Sequence, residues 1–392
     1  MTTHGPSLPR VIIPLGVHQI FAWGTSFYLL TVLAQPIAHD TGWPPAWITA
    51  GFSAALLSSG LVSPRVGRGV VRLGGTRVLA TGSAFMAAGL CGLALAPSLP
   101  FYLLAWLVLG AGMGASLYDA AFATLGTFYG AGARKSITTL TLFGGFASAI
   151  CWPLSAFLVE VFGWRMTCGV YALFHLVVSI PMLLIALPYG PQPPPPRDDD
   201  PHGLSPAVNA ARMDFLLLTT VFVSGSAIFS TLSLHLLTFL QALGFGLVVA
   251  VGLSSLIGPS QVGARVIEIA FGGRYSPLWT LLTATILIAS GLSFLPTGFI
   301  LAAACLMLYG AGNGVWSIAR GTVPLALFGA TDYPAVIARL AKAAFLSQAV
   351  APLAGAFAIS AAGPRAVLFA LAGLAALNVV LVGLLIRRHR RA

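Results

Sequence analysis

Runs of about twenty apolar residues recur along this chain, and FYLLAWLVLGAGMGASLYDAAFATL, starting at Phe101, is one of them. No other feature narrows the fold so far. Such a run can carry a helix across the ~30 Å hydrocarbon layer of a membrane. Within lipid, only helices and closed barrels satisfy their own backbone. The runs lack the ten-residue alternation of barrel strands. Composition agrees: 58% of the 392 residues are hydrophobic and 7% are charged, against about 25% charged in soluble domains. The fold expected is an all-α membrane protein.

Twelve spans are expected, at roughly 11–34, 48–66, 78–96, 101–127, 136–159, 166–187, 214–240, 246–270, 278–295, 299–328, 335–360 and 364–386. One stretch breaks the pattern: PYGPQPPPPRDDDPHGLSP, from Pro188. Its prolines cannot continue a helix and its charges cannot stay in lipid. It divides the chain into a six-helix half over 1–187, a linker over 188–213, and a second six-helix half with a basic tail over 214–392. Loop charges orient the spans. Arg10, Arg65, Arg68, Arg72, Arg77, Arg134, Lys135, Arg197, Arg212, Arg274 and the tail RRHRR fall on one side, and Arg165 and Arg365 on the other. The positive-inside rule then places the linker and both termini in the cytoplasm. The net charge of +11 is this loop bias and no sign of a nucleic-acid partner. MTTHGPSLPR lacks the apolar core and cleavage site of a signal peptide, so the first apolar run is expected to remain as a helix.

The two halves repeat. GAGMG at Gly110 answers GAGNG at Gly310; FGWR, ending at Arg165, answers AGPR, ending at Arg365; and Pro153 answers Pro352. YLLTVLA from Tyr28 matches HLLTFLQ from His235, and the pair Pro64/Gly67 is aligned with Pro259/Gly263. Such matches in order make each half a copy of the other.

Two six-helix halves joined by a cytoplasmic linker resemble the major facilitator superfamily of secondary transporters. GLVSPRVGRGVVRLGGTR, from Gly60, is similar to that superfamily's loop between spans two and three, with Arg68, Arg72 and Arg77 present and Val71 where an Asp is usual. The arginines can meet helix C-termini or lipid phosphates; Val71 cannot take the Asp's part in the usual charge relay. Within the superfamily, DTGWPPAWITAGFS, from Asp40, is similar to the stretch after the first span of monocarboxylate and oxalate/formate-type carriers. The fifth span reads GGFASAICWPLSAF, without the Gly-Pro-rich signature of drug/proton antiporters. The resemblance implies a substrate bound near mid-membrane between the halves, with spans one, four, seven and ten lining the cavity.

Charges inside a membrane are paired, snorkelling or wet, because each costs about 2.5–3.5 kcal/mol or more at the centre. Asp119 in span four, Arg320 in span ten and Lys342 in span eleven fall at a similar cytoplasmic depth. They form a candidate gate or substrate cluster, Asp119 pairing with Arg320 or Lys342 and carrying a coupled proton; a permanent structural ion pair is the alternative. Arg265 and Glu268, three apart in span eight, share a helix face and can touch. They read as a gate or interface pair, with Arg265 as an anion ligand the alternative. Tyr28 and His235, matched in spans one and seven, offer polar tips to a carboxylate or hydroxyl. Trp23 and Asn313 are further lining candidates, with His18, Gln19 and Trp316 weaker; His175 reads as structural.

Nothing points to a cofactor. There is no GxxxxGK[ST] for ATP, no HExxH or CxxC for a metal, and no methionine ladder. Cys91, Cys151, Cys168 and Cys305 sit in apolar runs as small hydrophobes. No nucleophile–base–orienter set falls at one depth, so an enzyme is not expected. The excess of Arg265, Arg320 and Lys342 over Asp119 and Glu268 favours an anionic substrate. The function expected is a monomeric inner-membrane secondary transporter for a small organic anion, proton-coupled or exchanging. The alternatives are a proton-driven exporter of amphipathic or metabolite-like compounds and a transporter-like receptor.

Overall fold

The computed structural model describes residues 7–189, 208, 211–271, 274–295 and 301–391, and helices dominate it, with no strand among the described residues. Most of the 188–213 linker lies outside those residues. The chain forms two compact units. The first comprises Met1–Ser205 and Phe328–Phe345. Its helices are α1 (Leu8–Gly24), α2 (Leu29–Thr41), α3 (Pro45–Leu73), α4 (Gly75–Ala94), α5 (Leu99–Ser116), α6 (Tyr118–Tyr129), α7 (Ala133–Gly145), α8 (Ala147–Phe174) and α9 (Ile180–Ala186), with a π turn over His175–Ser179. The second comprises Pro206–Leu327 and Leu346–Ala392. Its helices are α10 (Arg212–Ala242), α11 (Leu247–Ser255), α12 (Ile257–Phe271), α13 (Pro277–Phe294), α14 (Ala302–Ala362, of which Phe328–Phe345 belongs to the first unit) and α15 (Pro364–Arg391).

Nine helical runs among the described residues are long and apolar enough to cross a membrane. The longest, Leu99–Ala186, has 88 residues. As one straight helix it would reach about 130 Å, far beyond the ~30 Å it has to cross, so it makes more than one crossing. It is cut by a 3₁₀ turn over Gly130–Gly132 and by Gly163, and the 61-residue α14 is cut by Gly329. The glycines at these turns expose the repeat. Positive φ occurs only at glycines among the described residues, and six of the seven fall into pairs: Gly42 and Gly244, Gly130 and Gly329, Gly163 and Gly363. A side chain in this left-handed region costs about 1–2 kcal/mol, which reserves each turn for glycine.

The packing of α5 and α14 repeats as well. A Cβ on Gly110 would meet the Ala55 carbonyl at 2.2 Å, and one on Gly112 would meet Met86 at 2.6 Å. Gly310 stands 2.7 Å from the Ile257 carbonyl and Gly312 stands 2.7 Å from Ile288 by the same measure. Only glycine lets these backbones approach so closely. The contacts fix the register of the repeat: Ala55 answers Ile257, and Met86 answers Ile288. The expected alignment of Pro64/Gly67 with Pro259/Gly263 is thereby corrected, since that register answers Gly67 with Ile269. Arg265 then answers Ser63.

Large apolar side chains such as Ile185, Val248 and Phe357 stand exposed. On a soluble protein such surface would aggregate; in lipid it is the natural exterior.

Candidate functional site

In the first unit the backbone breaks where chemistry gathers. Between α1 and α2, residues 25–28 form turns, and Tyr28 caps α2. Aromatic rings crowd this break: Trp23 lies 6.2 Å from Tyr28 and 5.0 Å from Tyr118, and Tyr28 lies 5.8 Å from Trp152, edge to face. The second break is Leu117, whose extended ψ of −174° separates α5 from α6. That break leaves the Ser116 carbonyl outside a regular helix, and the Gln19 amide donates to it at 2.6 Å. Asp119 therefore stands in the first turn of a restarted helix, buried at 6% exposure. The helix dipole favours a carboxylate there by about 0.3–1 kcal/mol. Its charge also acts on Tyr333 of the Phe328–Phe345 segment. The Tyr333 ring packs on Gly126, and Pro334 and Ala338 pack on Gly67. Lys342, on the same segment, is exposed.

Behind α1 runs a buried chain of polar contacts that sequence reasoning largely missed. His18 Nδ1 meets Ser179 Oγ at 2.7 Å, and Ser179 Oγ meets Ser83 Oγ at 3.1 Å. Ser83 Oγ meets His175 Nδ1 at 3.3 Å, and His175 Nε2 meets Thr25 Oγ1 at 2.9 Å. The π turn brings His175 and Ser179 onto one face. Single serines in apolar helices carry no sequence signal; only the fold brings them together.

The basic residues of the loop motif stand apart from both breaks. Arg68, Arg72 and Arg77 are exposed, Arg72 in the last turn of α3 and Arg77 stacked 5.2 Å over the Tyr189 ring. Elsewhere, Asp40 at the end of α2 binds Arg165 of α8 and accepts from the Trp164 indole at 3.0 Å, while Arg165 also reaches the Ala96 carbonyl.

In the second unit, Arg265 is the exceptional residue. It is buried at 5% exposure on α12. Its Nε donates to Ser317 Oγ at 3.1 Å and to the Gly314 carbonyl at 3.4 Å, and Nη1 has no hydrogen-bond partner among the described residues. Glu268 does not turn to it; it accepts from Thr280 Oγ1 at 2.7 Å. The expected contact of these two neighbours does not close. Arg265 is thus a buried cation held by neutral groups. Arg320, half-buried, lies one turn beyond Ser317 on α14.

His235 donates its Nε2–H to the Pro352 carbonyl at 3.0 Å. Pro352 itself has no N–H for the Gln348 carbonyl four residues back. Ser230 Oγ donates to that carbonyl at 2.9 Å, and Thr231 Oγ1 to the Ala351 carbonyl at 3.2 Å. One face of α10 thus serves the backbone of a proline-bent helix, with His235 at its end. Asn313 lines a narrow cavity within this unit, together with Tyr309, Trp316, Thr285 and Asn378.

A family model described as Major Facilitator Superfamily matches residues 17–269, more than half of the chain. No curated protein matches by sequence. Among solved structures, the human organic anion transporter MFSD10 (TETRAN) is similar at 16% identity and a TM-score of 0.75, over 96% of this chain and 100% of that one. The proton:xylose symporter XylE is similar at 12% identity and a TM-score of 0.73, over 95% of this chain and 94% of that one. The E. coli fucose:proton symporter FucP, in a singly substituted form, is similar at 13% identity and a TM-score of 0.70, over 95% and 97%. At such identities the likeness is one of fold.

Proposed function

Because the chain belongs to the Major Facilitator Superfamily, and so is a multi-pass membrane transporter and not an enzyme, we propose that it carries a small organic anion of the monocarboxylate type across the inner membrane by alternating access, coupled to protons or in exchange. Arg265 carries this reading. A buried guanidinium without a carboxylate partner is costly to keep. A substrate carboxylate would supply the missing charge and occupy Nη1, in the bidentate geometry that arginine favours. Arg320, one turn from Ser317, adds a second cation to the same stretch of α14. Asn313, Trp23, Tyr28, His235 and Lys342 are further substrate-contact candidates. Twelve crossings in two halves, 1–187 and 214–392, with cytoplasmic termini and linker and a monomeric protein, belong to the same proposal. One similar fold is described as an organic anion transporter and two as sugar symporters, so the fold leaves the substrate open and the arginine argues for an anion.

The test is uptake into proteoliposomes of labelled lactate, formate and oxalate, with xylose as the neutral control. Saturable anion uptake that Arg265→Gln removes supports the reading; xylose uptake indifferent to Arg265 refutes it. The buried Asp119 favours a second reading, proton-driven export. Asp119→Asn would then abolish gradient-driven flux while sparing exchange.

A further inference from the structure

The cavity of the second unit lies among α10, α13, α14 and α15. It goes beyond the anion reading, because no charged side chain lines it. Tyr309 faces it with a hydroxyl that is buried and has no hydrogen-bond partner among the described residues, the whole residue being 4% exposed. A buried tyrosine hydroxyl normally finds a partner. Asn378, opposite, has one end of its amide bound to Ser224, which leaves the other end for a further bond. Thr285 spends its proton on the Leu282 carbonyl at 2.9 Å and keeps an acceptor lone pair. Trp316 and Ile288 form the apolar walls.

The other unit shows the same layer filled. Met86 and Ile288 hold equivalent places beside Gly112 and Gly312, so Ser83, three residues before Met86, answers Thr285. Ser83 is bonded to Ser179 and His175, in a polar chain that continues to His18. Gly225, which has no side chain to offer, lines the cavity on the α10 side. One unit closes its polar layer with an imidazole; the other leaves a hydroxyl facing a gap.

We propose that this gap binds a single uncharged hydrogen-bonding group of hydroxyl size, supplied either by a trapped water or by the hydroxyl of a polyol-like solute. A buried polar gap of this kind holds such a group when two to four polar partners surround it, and Tyr309, Asn378, Thr285 and Asn313 are there.

The test is thermal melting of the full-length purified protein and of Tyr309→Phe, each with and without millimolar xylose. If a group is bound, removing the phenol hydroxyl strips it of a partner, and the melting midpoint falls by about 2 °C or more. If the gap is dry, the variant only deletes an unsatisfied hydroxyl, and its midpoint stays or rises; that result overturns the proposal. The xylose arm names the source. A midpoint raised by xylose in the wild type but not in Tyr309→Phe means a solute hydroxyl; no xylose effect, with the variant still destabilised, means water. Ala375→Leu, which fills the gap from α15, is the second variant: a lowered midpoint agrees with an occupied site, and a raised one opposes it.

Discussion

Replacing Arg265 by Gln separates a binding cation from a structural one by the sign of two effects. In the absence of substrate, the guanidinium is buried with Ser317 and the Gly314 carbonyl as its partners among the described residues. Placing an arginine at the centre of a membrane helix costs about 2.5–3.5 kcal/mol on insertion scales. Arg265 lies six residues from the end of α12, about 9 Å along the axis, so a smaller penalty applies. Its two weak neutral contacts recover about 1–2 kcal/mol of this. Arg265→Gln is therefore expected to leave the apo protein as stable or to raise its melting midpoint. Binding moves the other way. Truncating one partner of a buried, hydrogen-bonded charge pair costs about 2–5 kcal/mol, which is roughly 30- to 4,000-fold in Kd at 1.4 kcal/mol per decade. Arg265→Lys keeps the charge without the planar fork and is expected in between. The assay is a melting curve in detergent, with and without each candidate anion, beside proteoliposome uptake. The reasoning is refuted if Arg265→Gln melts several degrees lower without ligand and still takes up the anion at the wild-type rate.

Asp119→Asn keeps a helix-start acceptor but removes the charge, so proton-driven accumulation should fall at least about tenfold while equilibrium exchange persists; unchanged accumulation would remove Asp119 from proton coupling. Ser230→Ala strands the Gln348 carbonyl left free by Pro352, and should cost about 1–2 kcal/mol of stability, read as a lower melting midpoint. Substrate affinity should not change, whereas a binding role for that face of α10 would show in KM. Gly163→Ala forces a side chain into positive φ and should cost about 1 kcal/mol or more; the same change at Gly169, which has an ordinary φ and no neighbour within 4 Å of a built Cβ, should cost little.

Much of the fold was legible in the sequence because membrane helices announce themselves by length and hydropathy, and because the turn glycines and GAGxG motifs depend on backbone geometry that few other residues tolerate. Register was less legible. Pro64/Gly67 and Pro259/Gly263 look alike as pairs, yet the glycine contacts of α5 and α14 align different residues. The charges were visible as oddities, but their partners were not. Spacing put Arg265 and Glu268 on one face, and the fold gave Glu268 to Thr280, which is nearer along a direction that spacing does not describe. His235 looked like a ligand by its match to Tyr28; the carbonyl that occupies it belongs to a proline bend more than a hundred residues away. The chain from His18 to Thr25 was hidden for the same reason, since its members come from helices far apart in sequence.

The break at Leu117 has a consequence for Asp119. A continuous helix would hold that carboxylate in place with its own hydrogen bonds. Here the backbone is cut two residues before Asp119, and the carbonyl at the cut is bolted by the amide of Gln19, a side chain of another helix. The start of α6, and with it the footing of the acid, thus leans on a neighbour's side chain as well as on the packing of the helix. Gln19→Leu would unfasten that bolt while leaving both helices intact: an acid on a swivel in place of an acid on a post.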